Sequence, residues 1–262
     1  MTAANNAFRM EQGAGWTRGL PNLLSAELRH WFRTRKWWSQ ILIWALLVNL
    51  SVFGMTKQGM KNATELLLQF GTLMGIMAPI GACILLQGAV IDEKKSGTAA
   101  WVLSKPASRR AFLVAKALAN MLGIATTMVL AQGLIVYRIV LGASGRAMPP
   151  LAFLAGLGVH VANLWFYVAL VLMLGTIFEQ RGAVIGIGMA SLFVQGMLIM
   201  RMPELGRILP VALAVPLSNA PPLATALLTG GKPASYLPLA FTLAVAVLFS
   251  AIAVWAFEQS EL

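Results

Sequence analysis

The side chains able to do chemistry within the apolar parts of this chain are few, and most are amides. His160 and Asn163 stand three residues apart in one long uncharged run, and Asn49, Gln132 and Gln195 stand singly in others, with Gln69, Gln87 and Asn120 as further polar interruptions. Three-residue spacing puts His160 and Asn163 on one face of a helix. An imidazole there could carry a proton or meet a polar solute, since an ionisable group at mid-bilayer is functional by default. The ordinary alternative is an imidazole bonded to Asn163 or to a neighbouring helix, because polar side chains also fasten membrane helices together. The same two readings, path lining or interhelical lock, apply to the five residues as a set.

Other chemistries lack their residues. His30 and His160 have no ligand partner near them in sequence, and the single Cys83 can form no intrachain disulfide, so no metal centre or disulfide framework is expected. Gly231-Lys232-Pro233 echoes a phosphate loop but carries proline where the magnesium-binding hydroxyl would stand. Neither H-E-x-x-H nor G-x-S-x-G is present. No catalytic residue is assigned, and the chain is read as non-enzymatic. All nine acidic residues fall outside the apolar runs, which counts against an ion-coupled secondary transporter.

The elements that must position these groups follow from composition. Of 262 residues, 58% are hydrophobic and 11% charged, which places the chain among all-α integral membrane proteins. A net charge of +11 could suit nucleic acid, but the bases cluster at the ends of apolar runs, so the lipid bilayer is the expected partner and nucleic acid is not. Six spans are predicted, at about 37–55, 66–91, 111–141, 151–178, 182–200 and 238–257. Ahead of them, 1–21 reads as a loose tail. Residues 22–36 read as an amphipathic interfacial helix lying in the headgroup plane, anchored by Trp31, Phe32, Trp37 and Trp38. The opening residues are too polar for a cleavable secretory signal, so the first span is expected to stay.

Between spans five and six, 201–237 changes character. Pro210, Pro216, Pro221 and Pro222 interrupt an uncharged stretch, which suits broken helices re-entering the outer leaflet against protein. A seventh span is the alternative.

Counting Lys and Arg gives thirteen on the side of the N-terminus and six on the other, so both termini are expected in the cytoplasm of a multi-pass plasma membrane protein, of the bacterial inner-membrane kind. The largest basic segment is the connection after the second span, 92–110. Six Lys and Arg between Asp92 and Lys116 should hold it in water. Within it, Thr98 is placed to cap a short helix ending at Pro106 that presents Trp101, Val102 and Leu103. Aromatic and aliphatic side chains displayed below a membrane suggest a docking knob for a soluble partner.

The pattern Glu93-x-x-x-Gly97-Thr98, then Leu103-Ser104-Lys105-Pro106-x-Ser108-Arg109, then Lys116, resembles the cytoplasmic loop of type 2 ABC exporter permeases. The basic amphipathic helix, the six spans and the proline-rich segment before the last span resemble that family over nearly the whole chain. The short outer loop after the first span, with no large external domain, is unlike many members. The resemblance implies a coupling helix docking on a separate ATP-binding cassette subunit through Glu93, Gly97, Thr98, Trp101, Leu103, Ser104 and Pro106. It implies a second permease chain, identical or related, and ATP and magnesium bound by the partner and not by this chain. A nucleotide-independent channel, secondary transporter or assembly scaffold, with the loop a mere anchor, remains the other reading.

Overall fold

The computed structural model describes residues 15–105, 107–217 and 220–260, without the side chains of Lys36 and Pro203. Most of the expected tail and Pro106 therefore lie outside the described residues. Six helices are long and apolar enough to cross a membrane: α2 (Trp37–Lys57), α3 (Ala63–Lys95), α5 (Arg109–Ser144), α6 (Pro150–Ile177), α7 (Arg181–Arg201) and α10 (Leu237–Gln259). Between and before them lie α1 (Leu20–Arg33), α4 (Thr98–Leu103), α8 (Pro203–Gly206) and α9 (Leu223–Leu228), and no strand occurs among the described residues. The chain is a helical, multi-pass membrane protein.

Local sequence explains where the elements break. Pro150 and Pro238 sit in first turns, and Pro203 and Pro210 open α8 and a 3₁₀ turn at Pro210–Leu213, positions where a missing N–H is not needed. Asn62 caps α3 through the Thr64 N–H, and Ser108 caps α5 through the Ala111 N–H. Gly97, at φ 72°, turns the chain from the end of α3 into α4.

Packing centres on α6, the most enclosed of the six, which touches α3, α5, α7, α9 and α10. Two helices carry π-helical stretches, Ala45–Asn49 in α2 and Ala125–Leu130 in α5. Such wide turns release backbone carbonyls for other donors. Gln132 uses one of them: its amide donates to Thr127 O at 2.9 Å and to Ile41 O at 3.2 Å. Its Oε1 accepts from Asn49 Nδ2 at 2.7 Å, so a buried amide pair joins the π stretch of α2 to the turn just after that of α5.

The structure adds protein contacts to two of the expected elements, the first being the N-terminal helix. Trp16 meets Ser108, Glu27 meets Lys116 and Trp31 meets Asn120, a nearly constant separation in sequence of 92, 89 and 89 residues. Such a constant offset makes α1 run alongside the first turns of α5, in the same direction. Leu23 and Trp31 pack against the core there, while Leu24 and Leu28 stay partly exposed and Phe32 exposed. At 1.5 Å per residue α5 is about 54 Å long against roughly 30 Å of hydrocarbon, so it has length to spare for this contact.

The second is the charged loop, most of whose charges are fastened to protein. Arg181 reaches Asp92 at 2.6 Å, Lys94 donates to Thr176 O at 3.2 Å, and Arg109 donates to the carbonyls of Glu258 and Ser260. Arg110 pairs with Glu258, and Lys116 with Glu27 and Glu93.

The proline-rich segment contains no seventh membrane-length helix among the described residues. Instead α9 is seated between α3 and α6, with Leu223, Ala224, Thr225, Ala226 and Leu228 buried. Glycines make the seat. A Cβ on Gly75 would come within 2.2 Å of Ala214 Cβ, and one on Gly156 within 2.7 Å of the Leu228 nitrogen. The Gly71 and Gly75 pair, spaced for close helix contact, thus faces this segment, with His160 of α6 also beside Gly71.

Candidate functional site

Two places on this scaffold could act on something else: the loop helix α4, and a cluster of buried, unpartnered polar side chains behind α9. Helix α4 is short, and nothing in its six residues would hold it alone in water. Its position comes from below. Ala99 is buried, and Val102 and Leu103 pack against the hydrophobic core. On the other face Gly97, Thr98, Ala100, Trp101, Ser104 and Lys105 are exposed, with Trp101 62% accessible. The Lys105 ammonium stands 3.5 Å over the Trp101 ring, holding the indole outward by a cation–π contact.

The residues expected to dock therefore divide. Thr98, Trp101, Ser104 and the Gly97 backbone share the exposed face. Leu103 is turned inward. Glu93 is spent inside the molecule, its carboxylate 2.6 Å from Lys116 Nζ. Pro106 lies outside the described residues. The cap is also reassigned: Gly97 occupies that position and Thr98 is the first helical residue, its hydroxyl 2.8 Å from that of Ser96.

Beneath α4, Lys116 is the hub. Its side chain is 5% exposed, and Glu27 of α1 and Glu93 of α3 each bring an oxygen to it, at 2.8 and 2.6 Å. One ammonium thus ties three helices, and a charge-assisted bond in so enclosed a place is strong. One turn along α5, Asn120 Oδ1 accepts from Trp31 Nε1 at 2.9 Å. None of Glu27, Asp92, Lys116 and Arg181 was expected to bind another residue. A lysine in the apolar run AFLVAKALANM was the available sign, since a buried ammonium requires a counter-charge.

The polar residues of the membrane-length helices mostly prove to be fasteners. Asn49 and Gln132 join α2 to α5. Gln195 Nε2 donates to Tyr167 Oη at 3.0 Å, and its Oε1 accepts from the Val211 N–H at 3.1 Å, tying α7 to α6 and to the 3₁₀ turn. Asn163 Nδ2 makes a long contact of 3.4 Å to Gly75 O. His160 differs. It is 2% exposed, and neither ring nitrogen has a protein partner, so the expected bond to Asn163 is not made. Thr225 Oγ1 and Asn163 Oδ1 are likewise buried and unpartnered. Thr225 was not singled out by sequence, because it lies in a proline-broken stretch whose facing helices could not be read.

Among the described residues no three His, Cys, Asp or Glu side chains gather as metal ligands would. No curated protein matches the chain. A family model does match, beginning just after α1 and running through α10. By that match over residues 39–262, the chain belongs to the family described as protein of unknown function (DUF2705).

Proposed function

We propose that this chain is the membrane subunit of an ATP-driven exporter, a permease that pairs with a second permease chain and is powered by a separate ATP-binding subunit. The observation that carries the reading is the exposed face of α4 around Trp101, presented on a base that ion pairs hold to α1, α3, α5 and the end of α10. A push on a flexible loop dissipates in the loop. A push on α4 would move the ends of α3 and α5 together, because Lys116 and Glu93 join them.

In this reading ATP and magnesium remain on the partner, which docks through Gly97, Thr98, Trp101 and Ser104. The loop side is the cytoplasmic side of a plasma membrane, and α9 re-enters the opposite leaflet. At 1.5 Å per residue, Gly71 and His160, which flank Thr225, lie about 12 and 15 Å into their helices, deep enough for such a dip.

The test is to express the chain with an ATP-binding cassette subunit encoded beside its gene and purify the two by a tag on this chain. Retention of the ATPase in stoichiometric amount is expected. Its absence from the purified protein, with the permease folded, would overturn the reading in favour of a nucleotide-independent protein.

A further inference from the structure

Between α5, α6 and α10 lies a cleft of about 580 Å³, a volume usual for a ligand site. Ala117 and Met121 of α5, Ala162 and Trp165 of α6, and Leu243 and Val254 of α10 are among its walls. It is hollow because small side chains stand where the helices would otherwise interlock. A Cβ on Gly158, at its far end, would meet nothing beyond its own helix backbone within 4 Å. Ser250 brings a hydroxyl, but this donates to Ala246 O at 2.8 Å. Helix α10 is about 35 Å long, little more than the roughly 30 Å of hydrocarbon. Along it the cleft runs from about 8 to about 24 Å from the loop-side end, close to the depth of one leaflet.

At that end the cleft acquires a charged mouth. An adjoining hollow shares Ser250 and Val254 with it and is lined by Arg110, Trp255 and Glu258. Arg110 spends Nε and Nη2 on the Glu258 carboxylate, and its Nη1 has no partner among the described residues. Its side chain is 52% exposed. Arg109 reaches the same turn of α10, at the carbonyls of Glu258 and Ser260. The mouth therefore holds two guanidinium groups against one carboxylate, with the exposed indole of Trp255 beside them.

A hollow this apolar stays dry. What surrounds it is lipid, and a chain lying in it is touched on three sides where a convex helix face touches it on one, which adds dispersion contacts. An apolar span of a second copy would cover the mouth without meeting the free donor of Arg110, a costly way to bury a charge. A phosphate meets it, and guanidinium groups suit phosphate oxygens. We propose that the cleft holds one phospholipid of the loop-side leaflet, with an acyl chain between α5, α6 and α10 and its phosphate on Arg110. The excess positive charge at the mouth selects an anionic headgroup over a zwitterionic one. The inference does not depend on the exporter reading.

The experiment uses the full chain in phosphatidylcholine bilayers containing a trace of phosphatidylglycerol, or in a parallel sample phosphatidylcholine, with a diazirine in one acyl chain. After irradiation the adducts are located by peptide mass spectrometry. Those on the exposed face of α7, at Phe193 and Met197, report passing lipid and set the reference. Relative to that reference, the cleft residues should be labelled in excess, and more by the phosphatidylglycerol probe. Interactions inside a bilayer are modest, so a preference of about threefold is expected. Gly158→Leu, whose side chain enters the open end, should lower cleft labelling by both probes. Arg110→Gln should abolish the preference, and the Arg110 and Glu258 pair is exposed enough that its loss does not threaten folding. It therefore remains decisive if Gly158→Leu fails to fold. No excess over α7 with either probe, as when a second copy covers the cleft, overturns the proposal. So does equal labelling by the two probes in the parent, or an undiminished preference in Arg110→Gln.

Discussion

Lys116 Nζ lies 2.6 Å from Glu93 Oε1, which turns the most conspicuous acid of the loop away from solvent and toward a helix that starts sixteen residues later. Glu27 of α1 shares the same ammonium at 2.8 Å. Two carboxylates on one cation make the lysine the costly residue to lose and each acid the cheaper one. Lys116→Met strands both carboxylates and should destabilise the protein by roughly 3 kcal/mol. Glu27→Gln or Glu93→Gln leaves the lysine one partner and should cost less. Replacing all three by neutral residues should recover much of the loss. Thermal unfolding in a fixed detergent gives the order, and a Lys116→Met protein as stable as the parent would refute the hub.

The amide pair Asn49 and Gln132 gives a second prediction. Gln132 serves two carbonyls as well as Asn49, whereas Asn49 Oδ1 has no partner. Gln132→Leu should therefore cost more than Asn49→Leu, and a double-mutant cycle should return a coupling near 1 kcal/mol. The comparison requires reversible unfolding. Additive losses would mean that the pair is a contact without energetic weight.

Hydropathy made the six long helices legible, because an uncharged apolar run of that length has few other stable uses. The loop helix was legible too, from Thr98 as a capping residue and Pro106 as a stop. What sequence could not show was which faces meet. The stripe of α1 reads equally as a lipid-facing or a helix-facing surface, and its register against α5, residue 27 beside 116 and 31 beside 120, is not written in it. Glu93 read as a docking residue because the resemblance of the loop implied it, and its partner lay in a run that looked merely apolar. The polar residues Asn49, Gln132 and Gln195 were visible as interruptions, but their role as fasteners depended on the Thr127 and Ile41 carbonyls and on the Val211 N–H, which no periodicity announces.

The seat of the outer segment yields a steric prediction. With a Gly75 Cβ placed 2.2 Å from Ala214 Cβ, Gly75→Ala cannot keep the 3₁₀ turn where it is. Helix propensity alone would favour the alanine. Overpacking should win, lowering stability by about 1 to 3 kcal/mol. Ala214→Gly in the same chain removes the obstructing methyl and should restore the loss. Thermal unfolding of the two single variants and the double variant decides it. If Gly75→Ala raises stability, the segment does not rest there.

Trp101 gives the prediction that bears most directly on function. An exposed tryptophan held outward by Lys105 is costly to display unless a partner covers it, and tryptophans at the centre of interfaces commonly carry a large share of the affinity. Trp101→Ala removes no buried contact of this chain, so its unfolding temperature should match the parent. Binding of the ATP-binding subunit should weaken by about 2 kcal/mol, near thirtyfold in Kd. Leu103→Asp would be ambiguous, since Leu103 packs inward and its loss would disturb the helix itself. Lys105→Gln is the discriminating companion: it frees the indole without removing it and should weaken binding less than Trp101→Ala. Equal affinity of parent and Trp101→Ala for an ATPase that does bind would move the contact elsewhere on the loop.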